Sequence, residues 1–328
     1  MIYEKDGKLF RRKDKELLCL EPYGKDGLRI RATQNSTFLD KELSALIEPS
    51  DPAVHPKITI DGNSAVIENG KIKCEILCTG KMKFYNQKGD LLLEEYDKNR
   101  MREENATGEK DCALEIAPRT FVPNRGTNYF KLSVKFEAKE DEKFYGMGEY
   151  VQPYLNLKGC ALELSQRNSQ ISVPFTFSNK GYGMLWNNPA IGKVIFGRNM
   201  TEWIADSTRQ MDYWITAGDT PEEIMESYSN VTGRVPMMPD YATGFWQCKL
   251  RYRTQEELLN VAREYKRRGL PISVIVIDFF HWTAQGDFQF DPEFWPDPEA
   301  MVKELKEMGI ELMVSVWPTV EEASKNYK

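Results

Sequence analysis

Hydrophobic and polar positions alternate with a period of two along most of the first 218 residues. In FKLSVKFEA, Phe130, Leu132, Val134 and Phe136 fall on one side of an extended chain, and Lys131, Ser133, Lys135 and Glu137 fall on the other. Successive side chains of a strand point to opposite faces, so this pattern predicts a half-buried strand of an antiparallel sheet. KITI (57–60), SAVIENGKIKCEIL (64–77) and GKVIF (192–196) read the same way. Turn signals separate them at Asp61-Gly62, Asn69-Gly70, Lys88-Gly89-Asp90 and Asn179-Lys180-Gly181. Many short strands with regular turns predict a β-sandwich. One helix follows. Thr220 or Asp219 can cap it, Pro221 suits its first position, Glu222 and Glu223 favour its positive end, and Ile224, Tyr228 and Val231 share a face before Gly233 stops it. The two prolines of Val235-Pro236-Met237-Met238-Pro239 resist helix and central strand alike. The domain boundary is therefore expected there, with an N-terminal β-sandwich over 1–237 and a second domain over 238–328.

Beyond residue 240 the period changes. GFWQC is a short apolar strand. Thr254 to Arg268 is a helix, with Thr254 and Glu257 as a capping box, Leu258, Val261, Ala262 and Tyr265 on one face, and Gly269 as its end. ISVIVI (272–277) is an apolar, β-branched run of the kind found in strands buried on both faces. Asp297-Pro298-Glu299 opens another helix that turns Met301, Leu305 and Met308 inward and stops at Gly309, and ELMVSV (311–316) is a third buried strand. Strand, helix, strand, helix, strand implies parallel pairing with right-handed crossovers.

Composition narrows the function classes. Apolar residues make up 41% and charged residues 29% of 328 residues, which places the chain among soluble globular proteins of two ordinary domains. The net charge is −6 and no basic stripe stands out, so a nucleic-acid partner is not expected. MIYEKDGKLFRRKDKELLCLEPYG lacks an apolar core of signal-peptide length, and no run reaches membrane-spanning length, which points to the cytoplasm and no membrane partner. Six cysteines without a CxxC, and only two histidines, His55 and His281, read as reduced thiols and no metal site. The 12% aromatic content suits sugar stacking and suits large β-rich cores equally, with the core the plainer explanation.

The chemistry gathers at the ends of the parallel strands. The first ends in Gln247-Cys248-Lys249-Leu250-Arg251-Tyr252, the second in Asp278-Phe279-Phe280-His281-Trp282, and the third in Trp317-Pro318. Sites in parallel α/β sheets form at the carboxyl ends of strands, where the loops converge. A carboxylate, a cation, an imidazole and several large rings on one rim suit a polyol, with rings covering apolar sugar faces and charged groups binding hydroxyls. Each residue also has a plainer role. Asp278 reads as a cap or an arginine partner, Trp317 as core, Lys249 and Arg251 as solvated charges, His281 as a packed histidine, and Trp246 as filling inside its strand. The group carries more weight than its members.

GFWQCKLRYRTQEEL, VIVIDFFHW and FDPEFWPDPEAMVKELKEMGIELMVSVWPT, in that order and spacing, resemble the start of the catalytic barrel of glycoside hydrolase family 31. FYGMGEY, LNLKG and PFTFSNKGYGMLWNNPAIG resemble its N-terminal β-sandwich and the loop that domain sends toward the active site. The likeness is specific over about residues 144–328. It implies a β-sandwich followed by the first units of a (β/α)₈ barrel, and hydrolysis of terminal α-linked xylose or glucose with retention and without a cofactor. The WQCKLRY and FFHWTAQGD segments look most like α-xylosidases. By the resemblance, Asp278 binds hydroxyls of the released sugar, Trp317 and Phe280 wall its subsite, Phe279 is another wall candidate, Lys249 lies toward the leaving group, and His281-Trp282 lies in a loop that varies with substrate. Trp246 completes the set of substrate-binding candidates.

Retention needs two carboxylates about 5–5.5 Å apart. The resemblance places both after later barrel strands, beyond Lys328, so no catalytic residue is assigned within the chain; Asp287 and Asp291 read as loop-shaping or rim groups. Three parallel strands cannot close a barrel, and a bare apolar edge invites association. The polypeptide alone is therefore expected to be inactive and poorly soluble. Homo-oligomerisation of a full-length form stays open. A competing reading is a non-catalytic carbohydrate-binding or decayed relative. A doubly wound nucleotide or metal domain is disfavoured, because no GxGxxG or GxxxxGK[ST] follows a strand.

Overall fold

The computed structural model describes residues 1–39, 44–53, 56–98 and 116–327. His55 and Cys112 lie outside the described residues. Packing divides the chain into two units, Met1–Val235 and Pro236–Lys328, with the division inside the Val-Pro-Met-Met-Pro segment.

The first unit contains three antiparallel sheets. An eight-stranded sheet runs in the order Ile2–Lys5, Lys8–Lys13, Glu16–Pro22, Gly27–Thr33, Met211–Ala217, Tyr182–Trp186, Ile171–Ser178, Phe144–Glu149. A five-stranded sheet places Phe130–Glu137 between Arg119–Pro123 and Met200–Thr208, then continues through Gly192–Phe196 to Ala161–Leu164. A five-stranded meander runs from Lys57–Asp61 to Leu91–Glu94. The alternation predicted at Phe130–Glu137 is the observed burial: Phe130, Leu132, Val134 and Phe136 are buried, and the residues between them are half-buried or exposed. Lys57–Asp61, on the edge of its meander, is mostly exposed.

One apolar core serves all three sheets, and its largest members are aromatic. Trp186 stacks on Trp203 at 5.8 Å, and Tyr213 takes Phe84 and Phe136 edge-on at 6.5 and 6.0 Å. Each such side chain contributes on the order of 1.5–3 kcal/mol by leaving water. Much of the aromatic content is thus core. In the FYGMGEY segment, Gly146, Met147 and Gly148 all adopt left-handed backbone, with φ of 101°, 72° and 87°. A Cβ on Gly148 would lie 2.3 Å from the Ile171 carbonyl oxygen, so only glycine allows the strands to approach there. The register shift between the two glycines accompanies a fully buried Met147.

Helix α1 (Pro221–Thr232) is capped by Thr220, whose hydroxyl accepts the Glu223 N–H at 3.4 Å. Ile224 and Val231 are buried, and Tyr228 stacks on Phe175 at 4.0 Å.

The second unit is a parallel three-stranded sheet with two helices. The strands Trp246–Gln247, Val274–Ile277 and Glu311–Val314 lie in chain order, with Trp246 opposite Val274 and Val274 opposite Glu311. Helices α2 (Gln255–Arg267) and α3 (Pro298–Glu307) supply the crossovers. Ile275, Ile277, Leu312 and Val314 meet Leu258, Leu259, Ala262, Met301 and Leu305 in one core. Two expectations need correction. The third strand is not buried on both faces: Leu312 and Val314 turn to the helices, whereas Met313 is 45% exposed because no layer covers its face among the described residues. The capping box is also incomplete. Thr254 accepts the Glu257 N–H at 3.1 Å, but the Glu257 carboxylate returns to the Arg253 N–H at 2.8 Å, not to that of Thr254.

Candidate functional site

The residues singled out at the strand ends fall into a connected ring cluster and its surroundings. Asp278 directly follows the second strand, and Trp317 lies three positions past the end of the third. Phe279 stacks on Trp317 at 5.5 Å and 16°. Phe280 touches Phe279, Trp317 and Trp282 at 4.5, 5.7 and 5.8 Å, and Trp282 reaches Trp317 at 6.0 Å. The loop after the second strand and the end of the third therefore share one aromatic wall. It is open to solvent: Phe280 is 49% and Trp317 39% exposed. Trp317 is not a core residue within this unit.

Asp278 is half-buried at the foot of this wall. Its Oδ1 accepts the Phe279 N–H at 2.8 Å, which fixes the carboxylate against the turn. Its Oδ2 makes no hydrogen bond among the described residues, so one acceptor remains for a ligand hydroxyl. Phe280 adopts left-handed backbone, φ 61°. That conformation is rare for a bulky side chain and persists only where surrounding structure enforces it.

His281 is only 4% exposed. Its Nδ1–H donates to the Asp278 carbonyl at 3.2 Å, and its ring links Trp282 at 4.8 Å to Phe290 at 5.2 Å. Burial holds its pKa below the usual histidine value, against the opposing pull of the Asp278 carbonyl, so it is neutral at pH 7. This geometry makes it a brace for the turn that carries Asp278.

Lys249 and Trp246 stand apart from the ring wall. Lys249 Nζ is 2.5 Å from Glu257 Oε1, at the start of α2, and 5.6 Å from the centre of the Tyr252 ring. Trp246 is 41% exposed and donates its indole N–H to the Ala242 carbonyl at 3.1 Å. The cation that does reach the rings is Arg251, whose guanidinium lies 5.5 Å over Phe280. Its contact depends on how two loops meet in space, and nothing in the local sequence distinguishes it from Lys249.

Asp287 and Asp291 organise the rim. Asp287 Oδ2 accepts from the Thr283 hydroxyl at 2.6 Å, and Oδ1 accepts from the Ser324 hydroxyl at 2.9 Å and the Lys325 N–H at 3.0 Å. Those hydrogen bonds, led by Thr283, hold its carboxyl below the usual carboxylate range. They tie the loop after the second strand to the chain after the third. Gly286, φ 97°, sits where a Cβ would meet Val320 Cα at 2.8 Å, so the two segments can close only over glycine. Asp291 donates its N–H to the His281 carbonyl at 2.8 Å and accepts the Glu293 N–H at 3.0 Å. Among the described residues, no group of three or more His, Cys, Asp or Glu side chains is arranged to hold a metal ion.

Residues 17–194 match the model of the glycosyl hydrolase 31 N-terminal galactose mutarotase-like domain, and residues 235–328 match that of the glycosyl hydrolases family 31 TIM-barrel domain. Over 316 residues the chain is 52% identical to the protein named uncharacterized family 31 glucosidase ORF2 of Pseudescherichia vulneris, covering 95% of this chain and 59% of that one. It is 32% identical to α-xylosidase A of Aspergillus niger, covering 95% of this chain and 43% of that one. A crystal structure of a GH31 α-xylosidase from a soil metagenome, complexed with xylose, superposes with a TM-score of 0.91 and 52% identity over all of this chain and 48% of that one. The chain thus spans about half the length of the relatives it matches. The parallel sheet with its crossover helices is the beginning of a TIM barrel, the antiparallel unit before it is the mutarotase-like β-sandwich, and the chain belongs to glycoside hydrolase family 31.

Proposed function

We propose that this chain carries the sugar-binding rim of a retaining, exo-acting α-glycosidase that releases terminal α-xylose, with terminal α-glucose as the second substrate. The observation that carries the reading is the pairing of Asp278, with one carboxylate oxygen unused, and the exposed wall of Phe279, Phe280, Trp282 and Trp317. Rings of this kind cover the apolar face of a pyranose, and a fixed carboxylate accepts from its hydroxyls. The preference for xylose draws support from the α-xylosidases among the relatives.

The proposal assigns the nucleophile and the acid/base to residues outside 1–328. A retaining pair must stand about 5–5.5 Å apart with both carboxylates facing the substrate. Asp287 is committed to Thr283 in its own loop and to Ser324 and Lys325 after the third strand, and Asp291 to the Glu293 N–H. Cys19, Cys74, Cys160 and Cys248 carry thiols rather than disulfides, which fits a reducing, cytoplasmic setting. No helix among the described residues is long and apolar enough to cross a membrane.

Turnover of p-nitrophenyl α-D-xyloside and α-D-glucoside tests the reading. The 328-residue chain is expected to leave both intact. A polypeptide extended through the remaining barrel units should cleave the xyloside faster, with retention. Asp278→Asn should lower its kcat/KM by about tenfold or more, the scale of losing a charged hydrogen bond to a hydroxyl. Hydrolysis by the 328-residue chain that survives repurification, or an extended enzyme indifferent to Asp278→Asn, would refute it.

A further inference from the structure

We infer that Arg251 is a substrate-positioning residue of this site, donating a guanidinium N–H to a hydroxyl of the bound sugar. The inference rests on the glycosidase reading and names a contact which that reading does not assign.

Three features single out Arg251. First, its backbone is left-handed, φ 73°, in a tight turn in which its N–H donates to the Lys249 carbonyl. In the second unit the left-handed residues other than glycine are Arg251, Phe280 and Phe288, among the described residues. Two of these three touch each other, from loops that follow different strands. Strained backbone at both ends of one contact marks a geometry held for a purpose other than stability.

Second, the guanidinium is not spent on an ion pair. Lys249, two residues earlier, is paired with Glu257, and Arg263 is paired with Glu256 and Glu304. Arg251 makes no salt bridge and no side-chain hydrogen bond among the described residues, although it is half-buried. Third, the contact with Phe280 consumes none of its donors. A guanidinium held over an aromatic ring is attracted through its charge, so its five N–H groups are not used by that contact. Asp278, two residues before Phe280, offers an acceptor and no donor. A sugar hydroxyl both donates and accepts, so vicinal hydroxyls resting against this wall can use Asp278 and Arg251 together.

Titration of the 328-residue chain with methyl α-D-xylopyranoside, and with its 2-, 3- and 4-deoxy analogues, tests the contact by ligand-observed NMR. Near-ultraviolet circular dichroism confirms that each variant is folded. Arg251→Ala is expected to weaken binding of the parent glycoside by about tenfold. That loss should vanish for the analogue lacking the hydroxyl Arg251 holds, and Arg251→Lys should recover part of it. A purely structural role would weaken all four ligands equally, and that result overturns the inference. So does unchanged binding by Arg251→Ala when Asp278→Asn binds more weakly, which leaves the sugar-site reading standing. Absence of binding by the unaltered chain, or a folded Asp278→Asn that binds as well as it, defeats the site reading and this inference together.

Discussion

His281 shows how a single residue couples the candidate site to pH. It is buried, neutral, and bonded through Nδ1–H to the Asp278 carbonyl. Its folded pKa lies below the unfolded value of about 6.5. Between those two values the unfolded chain takes up a proton that the folded chain does not, so stability falls as pH drops through that window and is flat above it. Melting temperatures measured from pH 7.5 to pH 5 should therefore decline, and His281→Asn, which cannot titrate there, should flatten the decline. An identical slope in the variant would show that other groups set it. The same protonation would add a cation beside Trp282 and Phe290 and unsettle the turn carrying Asp278.

Between elements, the most demanding contact is Arg119. Its guanidinium joins all three sheets of the first unit. Nε and Nη2 donate to Glu16 at 3.0 and 2.9 Å, on a strand of the eight-stranded sheet, and Nη1 donates to Glu95 at 2.5 Å, just after the last strand of the meander. Arg119 itself opens an edge strand of the five-stranded sheet. Glu95 is fully buried, so removing its cation strands a charge away from water. Breaking a buried pair in this way costs on the order of 3–5 kcal/mol. Arg119→Ala should lower the urea midpoint of the first unit accordingly, measured by tryptophan fluorescence, and Arg119→Ala combined with Glu95→Gln should recover part of the loss. Non-recovery in the double variant would mean the arginine acts through packing alone.

At the scale of the molecule, the two units pose different stability problems. The sandwich unit closes one large core under its sheets. In the second unit the third strand pairs only with the second among the described residues, and Met313 and Val316 are 45% and 55% exposed. An unpaired apolar edge is a template for another chain. Sedimentation velocity of the 328-residue chain should show concentration-dependent association, and Met313→Lys should reduce it. A strictly monomeric chain across a tenfold concentration range contradicts this account.

What the sequence determined alone is local. Alternation at Phe130–Phe136, the caps at Thr220, Thr254 and Asp297, and the parallel succession after residue 240 all depend on residues within a few positions of one another, so period and capping chemistry suffice to read them. The position of Asp278 and the rings at strand ends was legible for the same reason, since a strand end is a local event. Partner choice was decided by the tertiary structure. Lys249 and Arg251 are two positions apart and chemically alike, yet Glu257 pairs with the first while the second lies over the Phe280 ring. Asp287 acquires its role from Ser324 and Lys325, and Arg119 from Glu16 and Glu95, all distant in the chain. A side chain's partner is selected by which atoms packing brings within about 3 Å, and the pattern of a single segment does not carry that information.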